Sequence, residues 1–355
     1  MAFKGAFQED SKNSYRLPEP VLQQGLIADP ETKLMYVPPR TYPGRSPQLS
    51  TIHVNWNPAS CTGEVTPWPE DAKVAFAFGA AVWEGIIASS VPIAIDACWR
   101  PLGSNVLGAA GATGLQRNFA NAPESNTWYP VALANALSEM DLNGNTAEIG
   151  ATFSSQFSNW YFGTDGNPGP SQYDFVTVVI HEIGHGLGFA GSMFVSSGNG
   201  QYGYSGVPTI YDRNAENGSG VPLVGGFANG SVALGNQLTG GNVFIDGDEV
   251  RKANGGNPVE LYAPSSWSQG SSFSHLDDVF DGSNNALMTH SIANGEAIHD
   301  PGEVTLGLFS DMAWQVAAPG SPPPTVTPTP NPTVPAIDDE APKAIYLPAI
   351  MAASD

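Results

Sequence analysis

Residues 175–180, Phe175-Val176-Thr177-Val178-Val179-Ile180, run directly into His181-Glu182-Ile183-Gly184-His185 and then Gly186-Leu187-Gly188-Phe189. No other stretch restricts the chain so tightly. The apolar run suits a buried helix. On a helix, residues four apart lie on one face, one turn above the other. His181 and His185 can therefore present two imidazoles to one point, and Glu182 projects beside them toward a water on the same ion. This is the H-E-x-x-H arrangement, two zinc ligands and a general base. Gly184, Gly186 and Gly188 each cost about 1 kcal/mol relative to Ala in a helix interior, so each needs a reason. Gly188 stands where the helix must end, a place where glycine tolerates positive φ. The competing reading is a pair of core or solvent-facing histidines on an ordinary helix.

Two imidazoles do not complete a catalytic zinc site, which takes three protein ligands and leaves the fourth position to water. The stretch resembles the metzincin metalloproteases, whose longer motif is H-E-x-x-H-x-x-G-x-x-H. Gly188 matches the glycine of that motif, but Gly191 stands where its third histidine would be. The contiguous motif is therefore excluded, and the third ligand must come from further along. The six histidines are His53, His181, His185, His275, His290 and His299, of which three follow the helix. His275 lies in Ser-Ser-Phe-Ser-His-Leu-Asp-Asp, thirteen residues before Met288. The chain then reaches Asp311-Met312-Ala313-Trp314.

This order resembles the leishmanolysin-like metalloproteases, in which an insertion separates the glycine from the third histidine. A methionine turn then precedes a terminal helix ending in Asp-x-Gly-aromatic. Ala313 stands in the place of that last glycine. The resemblance covers roughly residues 50–316, with strong motifs only in the last half. It implies metal ligands His181, His185 and His275, a general base Glu182 and a turn methionine Met288. Other readings stay open. His275 could be a surface loop histidine, with His290, His299, Asp212 or Glu216 as ligand instead, and Met288 alone would be a core methionine.

Composition sets the setting. The chain has 355 residues, enough for one large domain or two smaller ones, and a net charge of −21 with only 13 Lys and Arg. That balance argues against a nucleic-acid-binding surface. Few charges and an abundance of Gly, Pro, Ser, Asn and Thr read as a loop-rich extracellular protein. The acidic excess suits a soluble surface or bound Ca2+. Cys61 and Cys98 suggest one disulfide, against two reduced buried thiols. No run is long enough to span a bilayer, and the first residues lack an apolar signal region. The expectation is a secreted or cell-surface protein whose signal peptide is not in this chain.

Along the chain, residues 1–48 read as an extension, a linker or a pro-segment remnant, without a cysteine that could block zinc. Residues 51–56 alternate as a strand, with His53 pointing to solvent or core. Residues 70–89 read as a helix with Val74, Phe78, Val82 and Ile86 at i+4 spacing, started by Pro67 and Pro69. Residues 91–99 read as the next strand, with 106–112 as its partner. Strand, helix and strand before the zinc helix match the upper sheet and backing helix of the metzincin fold. Residues 131–140 are a short apolar element, 141–145 and 161–166 are turns, and 151–153 a strand. Asp174 suits the positive end of the zinc helix. Residues 191–273 show no strong helical period and read as a loop-rich subdomain or a flexible covering of the cleft. Residues 317–335 are a Pro/Thr linker, and 336–355 an acidic then apolar tail that could associate with a cell surface.

The expectation is therefore an α+β, metzincin-like fold. It has a twisted mixed sheet with a backing helix, a zinc-binding helix and a loop-rich C-terminal subdomain. The expected domain runs over 49–316, with its first subdomain to 191, an insertion over 192–274 and the third ligand, turn and terminal helix over 275–316. The expected activity is a Zn2+-dependent endopeptidase acting on protein or peptide, Glu182 passing a proton from the attacking water to the leaving amine. Tyr211 and His290 are candidates to steady the oxyanion. The alternatives are a catalytically silent surface or adhesion module on the same fold, and a zinc hydrolase of a non-peptide amide.

Overall fold

The structure is a computed structural model that describes residues 8–17, 25–40, 48–103 and 105–317. The expected tail and all but the first residue of the linker lie outside the described residues. The class is mixed α+β, with several small sheets and eight α-helices among the described residues.

One of the two four-stranded sheets among the described residues has the strand order Ile52–Trp56, Ile93–Arg100, Ile149–Ser154, Gly108–Ala112. The first three run parallel and the last antiparallel. Parallel neighbours need a crossover, and the helix Glu70–Glu84 supplies the first. Two expectations are corrected. Residues 106–112 do not pair with 91–99, because Ile149–Ser154 lies between them and takes Gly108–Ala112 as its own partner. The sequence Gly-Ala-Ala-Gly-Ala suits that edge, since a Cβ on Gly108 would lie 3.0 Å from Glu182 Cγ and 3.1 Å from Val178 Cγ1. The helix also ends at Glu84 rather than at 89, and Val74 is 63% exposed. Its buried face is Ala72, Ala75, Phe76, Gly79, Ala80, Val82 and Trp83. A Cβ on Gly79 would sit 2.8 Å from Val179 Cγ1, so the missing side chain sets how closely the backing helix meets the next one.

Residues 191–273 are folded rather than a loose covering. Ala215–Asn217, Val243–Ile245 and Val259–Glu260 form a three-stranded sheet. Leu234, Leu238, Val243, Ile245 and Val250 are buried to 1% exposure or less. Removing such side chains from water stabilises by roughly 1.5–3 kcal/mol each. The helix Asp248–Ala253 docks on the terminal helix Gly302–Asp311, where the Asp311 carboxylate accepts the Glu249 and Val250 amides at 2.9 and 2.8 Å.

The N-terminal segment is woven into the same fold. Ile27–Val37 is an eleven-residue strand that runs parallel to Ser291–Ile298. Tyr173 donates its hydroxyl to Asp29 O at 2.7 Å, and His299 donates its amide to Val37 O at 2.8 Å. Arg40 grips Asp300 through Nε (2.8 Å) and a terminal nitrogen (2.6 Å). Cys61 and Cys98 are bridged, as expected, tying the loop after the first sheet strand to the second. No helix among the described residues is long and apolar enough to cross a membrane.

Candidate metal centre

The helix Phe175–Leu187 is buried along its whole length. Asp174 caps its start: Oδ2 accepts the amide and the hydroxyl of Thr177, both at 2.7 Å. An unpaired helix N-terminus leaves amides without partners, and an Asp cap here satisfies one of them. At the other end Gly188 has φ 123°, a conformation that strains any side chain. That turn brings the Phe189 carbonyl back onto His185. Trp314 Nε1 donates to Leu187 O at 3.0 Å and closes the same end.

The other glycines are explained by close packing. A Cβ on Gly184 would lie 3.0 Å from Met288 Sδ, and one on Gly186 would lie 2.4 Å from Ile149 Cγ2. The helix is thus pressed between the sheet and the turn at Ala286–Met288. Gly191 has a reason of its own. A Cβ there would fall 2.1 Å from the Phe273 ring, and its amide donates to Ser274 Oγ at 3.1 Å. The chain that returns after the insertion passes through the space a side chain at 191 would need, and it carries His275 in with it.

His181, His185 and His275 converge, each fully buried. His185 Nε2 lies 2.9 Å from His181 Nε2 and 3.1 Å from His275 Nε2. Each ring faces a backbone carbonyl with its other nitrogen. His181 Nδ1 donates to Leu287 O (2.6 Å), His185 Nδ1 to Phe189 O (2.7 Å) and His275 Nδ1 to Ser271 O (2.8 Å). A carbonyl only accepts, so each Nδ1 carries the hydrogen and each neutral ring turns an Nε2 lone pair inward. Three lone pairs then meet at one buried point with no donor among them. Burial, and next the neighbouring histidine, hold His181 down to about 3 and His185 and His275 well below their ordinary range. Protons therefore do not fill the point at neutral pH. A divalent cation would, and the donor set fits one: nitrogen ligands, neutral, each oriented by a hydrogen bond behind it.

Glu182 follows His181 and is also fully buried. Its Oε1 accepts the Leu26 amide at 3.3 Å, while Oε2 has no partner. Burial raises its carboxyl well above the ordinary range, with the Leu26 and Ala110 amides opposing. An unpartnered carboxylate oxygen in the interior is costly unless something polar occupies the space before it. Met288 is buried against Gly184 of the helix, and its carbonyl accepts the Leu276 amide at 2.8 Å. The turn therefore holds His181 through Leu287 and fixes the residue after His275.

The remaining candidates separate clearly. His299 is buried, but its Nε2 lies 2.8 Å from Asp174 Oδ2, so it braces the start of the helix and does not join the cluster. Asp212 is spent on the Ser192 and Thr209 amides, both at 2.8 Å. Glu216 sits on the insertion's sheet, 3.9 Å from Arg251. His53 is exposed. Tyr211 is buried and donates to Phe273 O at 2.9 Å, which removes it as an oxyanion donor. His290 stacks on Tyr262 with centroids 4.1 Å apart; its Nδ1 is 3.1 Å from Asp278 Oδ1 but not aligned for a hydrogen bond. Among the described residues, the three histidines are the only group of three or more His, Cys, Asp or Glu whose ligand atoms lie within 4.8 Å, so no carboxylate cluster suited to Ca2+ is found among them. Leu26 and the three carbonyls behind the histidines carried no signal in the sequence.

A family model described as SPBPB7E8-like matches residues 119–206, a span that contains the whole helix and stops before His275. No curated protein matches the chain.

Proposed function

We propose that this protein is a zinc-dependent endopeptidase of leishmanolysin-like, metzincin architecture that works outside the cell. The observation that carries the reading is the meeting of three inward Nε2 lone pairs, with Glu182, the residue after His181, buried and its Oε2 unpartnered. His181, His185 and His275 would hold the ion. Zinc so held supplies a Lewis acid and a water acidified to a pKa near ~7.

The chain's own part is proton handling and exclusion of solvent. Glu182 takes a proton from the attacking water and gives it to the amine that leaves. A carboxyl held up by burial is suited to both duties, since its pKa moves toward the working pH. The carbonyls of Leu287, Phe189 and Ser271 fix the three rings, so the ligands need little reorganisation to receive an ion. The Cys61–Cys98 bridge accords with an oxidising, extracellular setting.

Purified chain, with zinc content measured, is assayed on casein and a mixed peptide library beside Glu182→Ala, with and without a chelator. Cleavage that disappears in Glu182→Ala and with chelator is the expected result. Near-normal cleavage by Glu182→Ala refutes the mechanism. Zinc uptake with no cleavage of protein or peptide moves the assignment to a silent binding module. Hydrolysis confined to small amides moves it to the non-peptide hydrolase.

A further inference from the structure

We infer that residues 25–28 form a built-in occupant of the cleft, an autoinhibitory strap that must lift before any peptide reaches Glu182. The inference rests on the peptidase reading for its consequence but not for its geometry. Residues 25–28 lie between two walls. One is residues 105–107, which lead into the edge strand Gly108–Ala112; the other is the segment after Met288. Leu107 donates its amide to Leu26 O at 3.0 Å and Ala28 donates to Asn105 O at 2.9 Å. On the other side Ile27 donates to His290 O at 3.1 Å and Gly25 to Gly270 O at 3.4 Å. The fourth amide, that of Leu26, goes to Glu182 Oε1 at 3.3 Å.

Every amide from 25 to 28 is thus spent on the cleft, in the alternating pattern of an extended peptide added to a sheet edge. An open edge of this kind is a template for any extended chain, and here the protein fills it with its own. The fit is close. Leu26 is 1% exposed, and a Cβ on Gly25 would lie 2.9 Å from Gly108 O. Glu182 and the three histidines have no exposure with the segment in place. No cysteine is used; the block is made by main-chain hydrogen bonds and one buried leucine. Residues 27 and 28 open the strand that continues to Val37, whose further course is held by Tyr173, His299 and Arg40, so lifting 25–28 peels only the strand's first two residues from Ser291 and Ile292 while 29–40 stay.

The test uses the full chain loaded with zinc and a fluorescent peptide hydroxamate, which needs the metal and an open cleft but no turnover. Gly25→Val and Leu26→Asp are compared with Leu34→Ser, a change at a side chain 75% exposed on the same strand. Backbone hydrogen exchange is followed on each. Wild type and Leu34→Ser should protect the amides of Leu26, Ala28 and Leu107. They should bind the hydroxamate at least ~10-fold more weakly than the two cleft variants, since only the open fraction of molecules binds. Casein cleavage should rise in the cleft variants by a similar factor. Equal hydroxamate affinity in all four proteins overturns the strap, as does rapid exchange of Ala28 and Leu107 in native wild type. If no protein takes zinc or cleaves casein, yet the three amides are protected in wild type and freed in Leu26→Asp, the strap stands and the peptidase reading falls.

Discussion

Gly186→Ala tests whether the site helix is glycine-rich because the sheet lies too close for a side chain. Taken as an isolated helix residue, Gly186 should gain about 1 kcal/mol on becoming Ala. The structure reverses the sign. The added Cβ would meet Ile149 Cγ2, Cδ1 and Cγ1 at 2.4, 2.7 and 2.8 Å. Ile149 is fully buried on an inner strand of the sheet, bonded to neighbours on both sides, and has nowhere to swing. Overpacking of this kind costs about 1–3 kcal/mol, and the upper half of that range applies to a neighbour that cannot yield. The net expectation is a loss of about 1–2 kcal/mol, a fall of several degrees in Tm for a chain of this size. Thermal unfolding of the metal-free protein measures it. Zinc affinity should fall too, because His185 is displaced with the backbone. Ile149→Ala alone should cost about 2–5 kcal/mol by leaving a cavity. Placing both changes in one chain lets the new methyl enter that cavity, so the double variant should be better than the sum by about 1–3 kcal/mol. A Tm that rises with Gly186→Ala, or a double variant additive within about 0.5 kcal/mol, would refute the packing argument.

Other changes have expected outcomes of their own. His275→Ala should weaken zinc binding by more than the ~10–100-fold that follows loss of a group behind a ligand, while His290→Ala should keep zinc; competition with a chromophoric chelator reads both. In the metal-free protein, burial keeps the three histidines neutral in the fold, whereas the unfolded chain protonates them near 6.5. The unfolded state then binds more protons, so their stabilisation is complete above 6.5 and is lost as pH falls below it. Glu182, raised in the fold, acts with the opposite sign above 4.5. The three histidines should make stability fall as pH drops through that window, and a flat Tm between pH 6.5 and 5 would contradict the buried neutral cluster. Ala313 has φ 78°, so Ala313→Gly should stabilise by about 0.5–1 kcal/mol in chemical denaturation; a loss would mean the Ala313 methyl packs. Opening the Cys61–Cys98 bridge, which spans 37 residues, should cost about 4 kcal/mol. Two alkyl groups added to the denatured chain without reductant would show that the bridge is absent.

Much of this centre was legible before any coordinates. The i, i+4 spacing of His181 and His185 on an apolar run requires only helix geometry to bring two rings together, and the structure does bring them together. The three helix glycines were anomalous by propensity alone, and each answers to a contact: Met288, Ile149, or the turn at Gly188. Asp174 was expected to suit the positive end of the helix, and it stands there as its cap. These features are local, and local geometry follows from adjacent residues.

What the sequence left open was decided by long-range packing. His275, His290 and His299 are chemically alike and lie within 25 residues of each other. Only tertiary structure sends His275 to the cluster, His290 onto Tyr262 and His299 to Asp174. The pairing of Gly108–Ala112 with a strand that comes 41 residues later, Ile149–Ser154, is a choice of the same kind. The course of residues 25–28 is the clearest case. Gly-Leu-Ile-Ala has no motif, and the hydrogen bonds that give it meaning are made by backbone groups, which every sequence shares. Side-chain chemistry and spacing therefore named two of the clustered histidines, while the fold alone chose the third and determined what covers all three.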